Sequence, residues 1–214
     1  MADEDKTIKV LVADDHAVVR RGLMQILEED ATMTPAGEAS TGRQVLRAVR
    51  EGDYDVLVLD IAMPEGGGLE VLQQLQTLRP GLPILVLSMY SEKQYAMRAL
   101  KAGATGYLTK DSAPDELVAA IRQVARGERY VTQSMAKELT SALGVERDPH
   151  EILSDREYQV MCLLAAGKTA TEVATDLSLS VKTISTYRSR VLRKLRLETT
   201  TDVVRYALEH GLIE

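Results

Sequence analysis

Ile8-Lys9-Val10-Leu11-Val12-Ala13-Asp14-Asp15 and, further on, Val56-Leu57-Val58-Leu59-Asp60 are the stretches on which the fold turns. Each is a run of aliphatic and β-branched residues that stops on an acid, and such runs read as strands. Pro83–Ser88 is a third, with weaker ones at Thr34–Ala39 and Thr105–Leu108. Between them lie amphipathic stretches, Val18–Glu28, Gly42–Glu51, Leu69–Leu78, Glu92–Ala102 and Pro114–Arg126, whose apolar residues recur at helical spacing. Five strands alternating with five helices imply an α/β domain, a doubly wound parallel sheet covered on both faces. Val56–Leu59 and Ile84–Leu87 are apolar throughout, as strands buried on both sides must be. Pro114 with Asp115 and Glu116 opens one helix, and Gly103 and Gly127 follow the ends of two.

After Gly127 the alternation stops. The sequence predicts a first domain over 1–127 and a linker over 128–151, containing a helix at 132–143 and the loop-like Gly144–Glu151. A small all-α domain of four helices follows over 152–214, at Ser154–Ala166, Ala170–Leu177, Val181–Leu195 and Thr201–His210. Ser154 with Glu157 three residues later is a capping-box signature.

Composition narrows the function classes. The 214 residues include eight Tyr but no Phe or Trp, so aliphatic side chains and Met must fill the cores. No apolar run approaches the roughly 18–20 residues needed to cross a bilayer, and the start lacks the order of a secretory signal. The lone Cys162 sits in an apolar helical stretch and reads as a small buried thiol. We expect a cytoplasmic protein without membrane contact. The net charge of −6 is uneven: residues 152–214 carry nine basic and eight acidic side chains, against 17 and 24 before them.

Parallel strands joined by helices bring their carboxyl ends to one edge, where open α/β sheets bind ligands. Asp14, Asp15, Asp60, Ser88 and Lys110 all fall at such ends. Acids at strand ends also serve turns and helix caps. Clustered carboxylates repel unless a cation relieves them, and Mg²⁺ suits a few carboxylates and a phosphate oxygen. Asp60 has the chemistry of a nucleophile toward phosphorus, with Ser88 and Lys110 placed to bind the phosphoryl oxygens.

The segments Val12-Ala13-Asp14-Asp15-His16, Leu59-Asp60-Ile61-Ala62-Met63-Pro64, Leu87-Ser88-Met89 and Gly106-Tyr107-Leu108-Thr109-Lys110-Asp111 resemble the receiver domain of two-component response regulators. The likeness spans about Ile8–Arg126 and implies a flavodoxin-like sheet of order 2-1-3-4-5. It implies that Asp60 is the phosphoacceptor, and that Asp15, Asp60 and the Ala62 backbone carbonyl bind Mg²⁺, with Asp14 acting through water. Ser88 and Tyr107 are the implied switch residues. Met89 is bulkier than the Ala or Gly frequent at its position, and Gly67 stands where many relatives have Asp.

Ser180–Arg196 holds six basic residues and no acidic one. At ~100° per residue, Ile184, Tyr187, Val191 and Leu195 share one face. Lys182, Ser185, Thr186, Ser189, Arg193 and Arg196 lie roughly opposite. Short hydrogen-bonding side chains flanked by cations suit a helix in the major groove of DNA. The expected DNA contacts are Lys182, Thr183, Ser185, Thr186, Arg188, Ser189, Arg190, Arg193 and Lys194. The segment Thr169–Leu179 supplies the first helix and turn of a helix-turn-helix. Leu153-Ser154-Asp155-Arg156-Glu157, Ala166-Gly167-Lys168, Glu172-Val173-Ala174, Leu179-Ser180, Lys182-Thr183-Ile184, Lys194-Leu195 and Gly211-Leu212-Ile213 resemble the LuxR-type output domain of NarL/FixJ regulators.

Together these imply a phosphorylation-controlled transcriptional regulator, partnered by a sensor histidine kinase and double-stranded DNA, and a homodimer when phosphorylated or on DNA. His16 reads as a turn residue, and His150 and His210 carry no assigned chemistry. One rival is a magnesium phosphatase; Ala62 stands where such enzymes carry a second Asp, so we expect no enzyme. The other is a constitutive DNA-binding or protein-interaction module whose receiver is never phosphorylated.

Overall fold

The computed structural model describes residues 7–63, 68–89, 92–112, 114–132 and 149–213. These form two compact units, divided between positions 141 and 142. Residues 64–67, Tyr90 and nearly all of the helix expected over 132–143 lie outside the described residues.

The first unit runs β1 (Ile8–Ala13), α1 (Ala17–Glu28), β2 (Met33–Ala39), α2 (Gly42–Glu51), β3 (Val56–Asp60), α3 (Gly68–Leu78), β4 (Ile84–Ser88), α4 (Glu92–Lys101), β5 (Gly106–Thr109) and α5 (Pro114–Ala125). All strand pairs are parallel, in the order β2-β1-β3-β4-β5. This is the expected doubly wound sheet. Every residue of β3 and β4 is buried, which is why those strands are apolar without alternation. β2 sits at an edge, and its register slips between Val10 and Leu11, opposite Pro35 and Gly37. A residue without an N–H is tolerated at such an edge bulge. Val10, Val12, Val56, Val58, Leu85, Leu87 and Leu108 turn one way, onto Leu23 and Leu27 of α1 and Leu117, Ile121 and Val124 of α5. Their alternates Leu11, Leu57, Leu59, Ile84 and Val86 are equally buried and face the opposite layer, since successive strand side chains alternate.

The second unit opens with a 3₁₀ turn (Pro149–Ile152), followed by α6 (Asp155–Ala165), α7 (Ala170–Asp176), α8 (Val181–Leu195) and α9 (Thr200–Glu209). Ser154/Glu157, Thr169/Glu172 and Thr199/Asp202 form capping boxes, and Ser180 caps α8. These caps place the helix starts where the sequence put them. No helix among the described residues is long and apolar enough to cross a membrane.

Gly68 opens α3 against the end of β3: a Cβ there would lie 2.3 Å from Ile61 Cα and 2.7 Å from the Asp60 carbonyl oxygen. Backbone cannot step aside as a flexible side-chain tip does. We expect Gly68→Ala to cost about 1–3 kcal/mol and Gly22→Ala, on open helix surface, to gain about 0.5–1 kcal/mol. Urea unfolding of the two variants checks both signs.

Candidate functional site

Register alone assembles the acids. Ala13 pairs with Leu59, so the next residues, Asp14 and Asp60, leave adjacent central strands side by side. Ser88 pairs with Thr109, and the Lys110 amide donates to the Ser88 carbonyl at 2.8 Å. Asp14, Asp60 and Ser88 are buried to 1%, 1% and 0% exposure. The two acids are held in the same manner. Asp14 Oδ1 accepts from the His16 amide at 2.8 Å, and Asp60 Oδ1 from the Ala62 amide at 2.9 Å. Each directs its other oxygen at Lys110 Nζ, at 2.6 Å from Asp14 and 2.7 Å from Asp60. The Lys110 side chain is itself 5% exposed.

Burial of the ammonium pushes its pKa down, but the two carboxylates outweigh this and hold Lys110 above its usual value. Burial pushes the Asp60 carboxyl up, aided by Asp14; Lys110 and the Ala62 amide oppose that without cancelling it. Ligand atoms of Asp14, Asp15, His16 and Asp60 lie within 4.8 Å of one another. Asp14 Oδ2 meets Lys110 as an ion pair, off the angle of a directed hydrogen bond. Asp15 Oδ1 also lacks a directed donor, although His16 Nδ1 lies at 2.8 Å. Three acids gathered at one edge, with an Asp15 oxygen short of a directed donor, fit a hard divalent cation, which takes oxygen ligands. Tyr107 is buried on β5, Ala62 follows β3, and Met89 beyond β4 is 74% exposed.

The geometry of α8 separates the basic residues. Ile184 and Val191 are buried, and Tyr187, Leu192 and Leu195 half-buried. Lys182, Ser185, Thr186, Arg188, Ser189, Arg190, Arg193 and Arg196 are exposed, with Thr183 half-buried beside the cap. Thr186 and Ser189 donate to the carbonyls of Lys182 and Ser185, at 3.0 and 2.9 Å, leaving their oxygens as outward acceptors. Arg188 Nε donates to Thr200 Oγ1 at 2.8 Å, and the Arg190 guanidinium lies 5.9 Å from the Tyr187 ring centre. Lys194, also among the expected DNA contacts, is half-buried. Its ammonium turns inward, 2.5 Å from Glu157 Oε2 and 3.3 Å from the Ile152 carbonyl. Burial pushes the Glu157 carboxyl up, but Lys194 and the Ser154 amide and hydroxyl together hold it below its usual value.

Two residues escaped the sequence reading. His16 joins the acidic group, a placement its adjacency to Asp14-Asp15 signalled. Arg20, one turn into α1, donates to the Asp14 carbonyl at 2.8 Å and to Glu38 Oε2 at 2.6 Å; only its distance from the acidic pair along a helix hinted at this.

Residues 10–122 match the response regulator receiver domain, and residues 151–207 match the LuxR family of bacterial regulatory proteins. The chain is a response regulator of the NarL/FixJ family. It is a transcriptional regulator with a receiver and a LuxR-type DNA-binding domain. This response regulator is 36% identical to the response regulator UvrY of Escherichia coli, over 96% of its own length and 95% of UvrY's. It is also 36% identical to the oxygen regulatory protein NreC of Staphylococcus epidermidis, over 97% and 100% of the two chains. Among solved structures it resembles RcsB from Salmonella enterica serovar Typhimurium bound to promoter rprA with the phosphomimetic BeF3−. The TM-score is 0.65 at 27% identity, covering 94% of this chain and 98% of that one.

The raised pKa of Asp60 means that the folded chain binds its proton more tightly than the unfolded chain does. Ionisation of Asp60 therefore costs stability, fully above the raised pKa and not at all below the ordinary value of 3.8. In EDTA at pH 7, Asp60→Asn should melt about 2–4 °C higher than wild type, a gain that shrinks as pH falls toward 4. Melting curves over that range check it; equal or lower melting at pH 7 would contradict it.

Proposed function

We propose that Asp60 accepts a phosphoryl group from a histidine kinase and that the modification changes how the carboxy-terminal helices hold DNA. The observation that carries the reading is the buried Asp14–Lys110–Asp60 bridge beside Asp15. Asp14, Asp15, Asp60 and the Ala62 carbonyl would hold Mg²⁺, which neutralises charge on the transferred oxygens. In the transfer, the P–N bond to the donor imidazole breaks as a P–O bond to Asp60 forms. Lys110 and the buried Ser88 hydroxyl bind the phosphoryl oxygens, and Tyr107 is the second switch residue. The receiver comprises 1–127, the linker 128–151 and the DNA-binding domain 152–214. The protein acts in the cytoplasm.

Phosphorylation is a population shift: the modified carboxylate favours one pre-existing state through differential contacts. That state forms a homodimer, whose two α8 helices enter the major groove at paired half-sites. Lys182, Thr183, Ser185, Thr186, Arg188, Ser189, Arg190 and Arg193 face the duplex; Lys194 braces the helix from behind.

Beryllofluoride should tighten duplex binding by about 5–150-fold, the usual range of coupling between sites, and Asp60→Asn should not respond. Fluorescence anisotropy measures both, and a variant that responds like wild type would refute the mechanism. On nonspecific duplex DNA, Arg193→Ala should lower the log–log salt slope by about 0.9, one phosphate contact. Lys194→Ala should leave that slope unchanged and lower the melting temperature instead.

A further inference from the structure

Arg20 has no part in the chemistry above, yet it touches it. The residue sits in the first turn of α1 with a side chain 16% exposed. Nε donates to Glu38 Oε2 on β2 at 2.6 Å, and Nη1 to the Asp14 carbonyl at 2.8 Å. One planar guanidinium thus ties the end of β1 to β2 and α1. The remaining polar groups of Asp14 are also committed. Its amide donates to the Ala39 carbonyl at 3.1 Å, Oδ1 accepts from the His16 amide, and Oδ2 meets Lys110. The peptide joining Asp14 to Asp15 is a rigid plane. Gripping its carbonyl fixes the nitrogen of Asp15, and so narrows the direction in which that side chain leaves the backbone. Asp15 Oδ1 has His16 Nδ1 at 2.8 Å but no directed hydrogen bond, so the course of the chain carries much of its aim. Glu38 is 57% exposed, and a pair open to solvent adds little stability. Its bond to Arg20 serves instead to orient the fork, so that a lysine, which keeps a donor but not the fork, can replace it only in part.

We propose that Arg20, braced by Glu38, is the positioning residue that aims the Asp15 carboxylate at a divalent cation. This rests on reading Asp14, Asp15 and Asp60 as the Mg²⁺ site. The test is calorimetric titration of the full chain with Mg²⁺, with melting in EDTA recorded beside it. Removal of a group that orients a metal ligand typically weakens binding about 10–100-fold. We expect a loss in that range for Arg20→Gln, at least partial recovery in Arg20→Lys, and a smaller loss of about threefold or more in Glu38→Gln, with EDTA melting near wild type. Arg20→Gln within about twofold of wild type overturns the proposal. So do equal losses in the Gln and Lys variants that track a falling melting temperature, the mark of a merely structural residue. If Arg20→Gln does not fold, Glu38→Gln decides, and unchanged affinity there overturns it. Wild type that takes up no Mg²⁺ overturns the site reading together with this one, whereas wild-type affinity matched by Arg20→Gln overturns this one alone.

Discussion

Two carboxylates at the ends of neighbouring strands, both almost wholly buried, are bridged by one ammonium. Unit charges 4 Å apart interact by about 4 kcal/mol at the effective dielectric of a protein near its surface, so the acids would otherwise push β1 and β3 apart or keep their protons. Lys110 directly follows β5, which lies beyond β4 in the sheet. Reaching both acids requires a long apolar stem with a compact charge at its tip, which is what a lysine offers. The side chain is almost wholly buried, and its ammonium meets an oxygen from each acid. The sheet order is what makes the bridge possible, and the bridge makes the close approach of the acids tolerable.

Much of this arrangement was legible in the chain because the central strands are uninterrupted. Where Val56–Leu59 or Ile84–Leu87 runs apolar without alternation, an acid or a serine at its end stands out. β2 was fainter, because an edge strand with Pro35 and mixed burial carries no strong pattern. Arg20 and Lys194 were illegible for one reason: each lies on a helix amid other cations, and its partner is remote in sequence. Glu157 is 37 residues from Lys194 and Glu38 is 18 from Arg20. On a wheel of ~100° per residue, Lys194 falls at the flank of the apolar face, where spacing does not say whether a long side chain turns in or out.

The second unit meets a different constraint. Isolated helices under roughly 12–15 residues are marginal in water, and α6, α7 and α9 have 11, 7 and 10 residues. Each is closed at its start by a capping box, an arrangement in which the cap alone contributes about 1 kcal/mol. Packing of Val173, Ile184, Val191 and Val203, all at or near zero exposure, supplies the rest. Glu157 serves twice, bonding the Ser154 amide of its own helix and the Lys194 ammonium of α8. The helix whose outer face is cationic is thus fixed in rotation by a cation on its inner flank. One member of the six-cation run thereby supports the helix that carries it.

On the proposed function, the same economy of charge gives the receiver its sensitivity. Lys110 already divides one positive charge between two carboxylates. If Asp60 carries a phosphoryl group, three more strong acceptors enter beside an ammonium that already meets two carboxylates. The ammonium cannot keep its bonds to Asp14 and Asp60 and also serve the new oxygens. Its amide, meanwhile, donates to the Ser88 carbonyl, so the ends of β4 and β5 are tied to whatever position the ammonium adopts. Redistribution of the lysine's bonds is then felt at Ser88 directly and at Tyr107 three residues earlier on the same strand. A difference in contacts between two states, the requirement for any switch, follows from one ammonium being shared among more anions than it can serve.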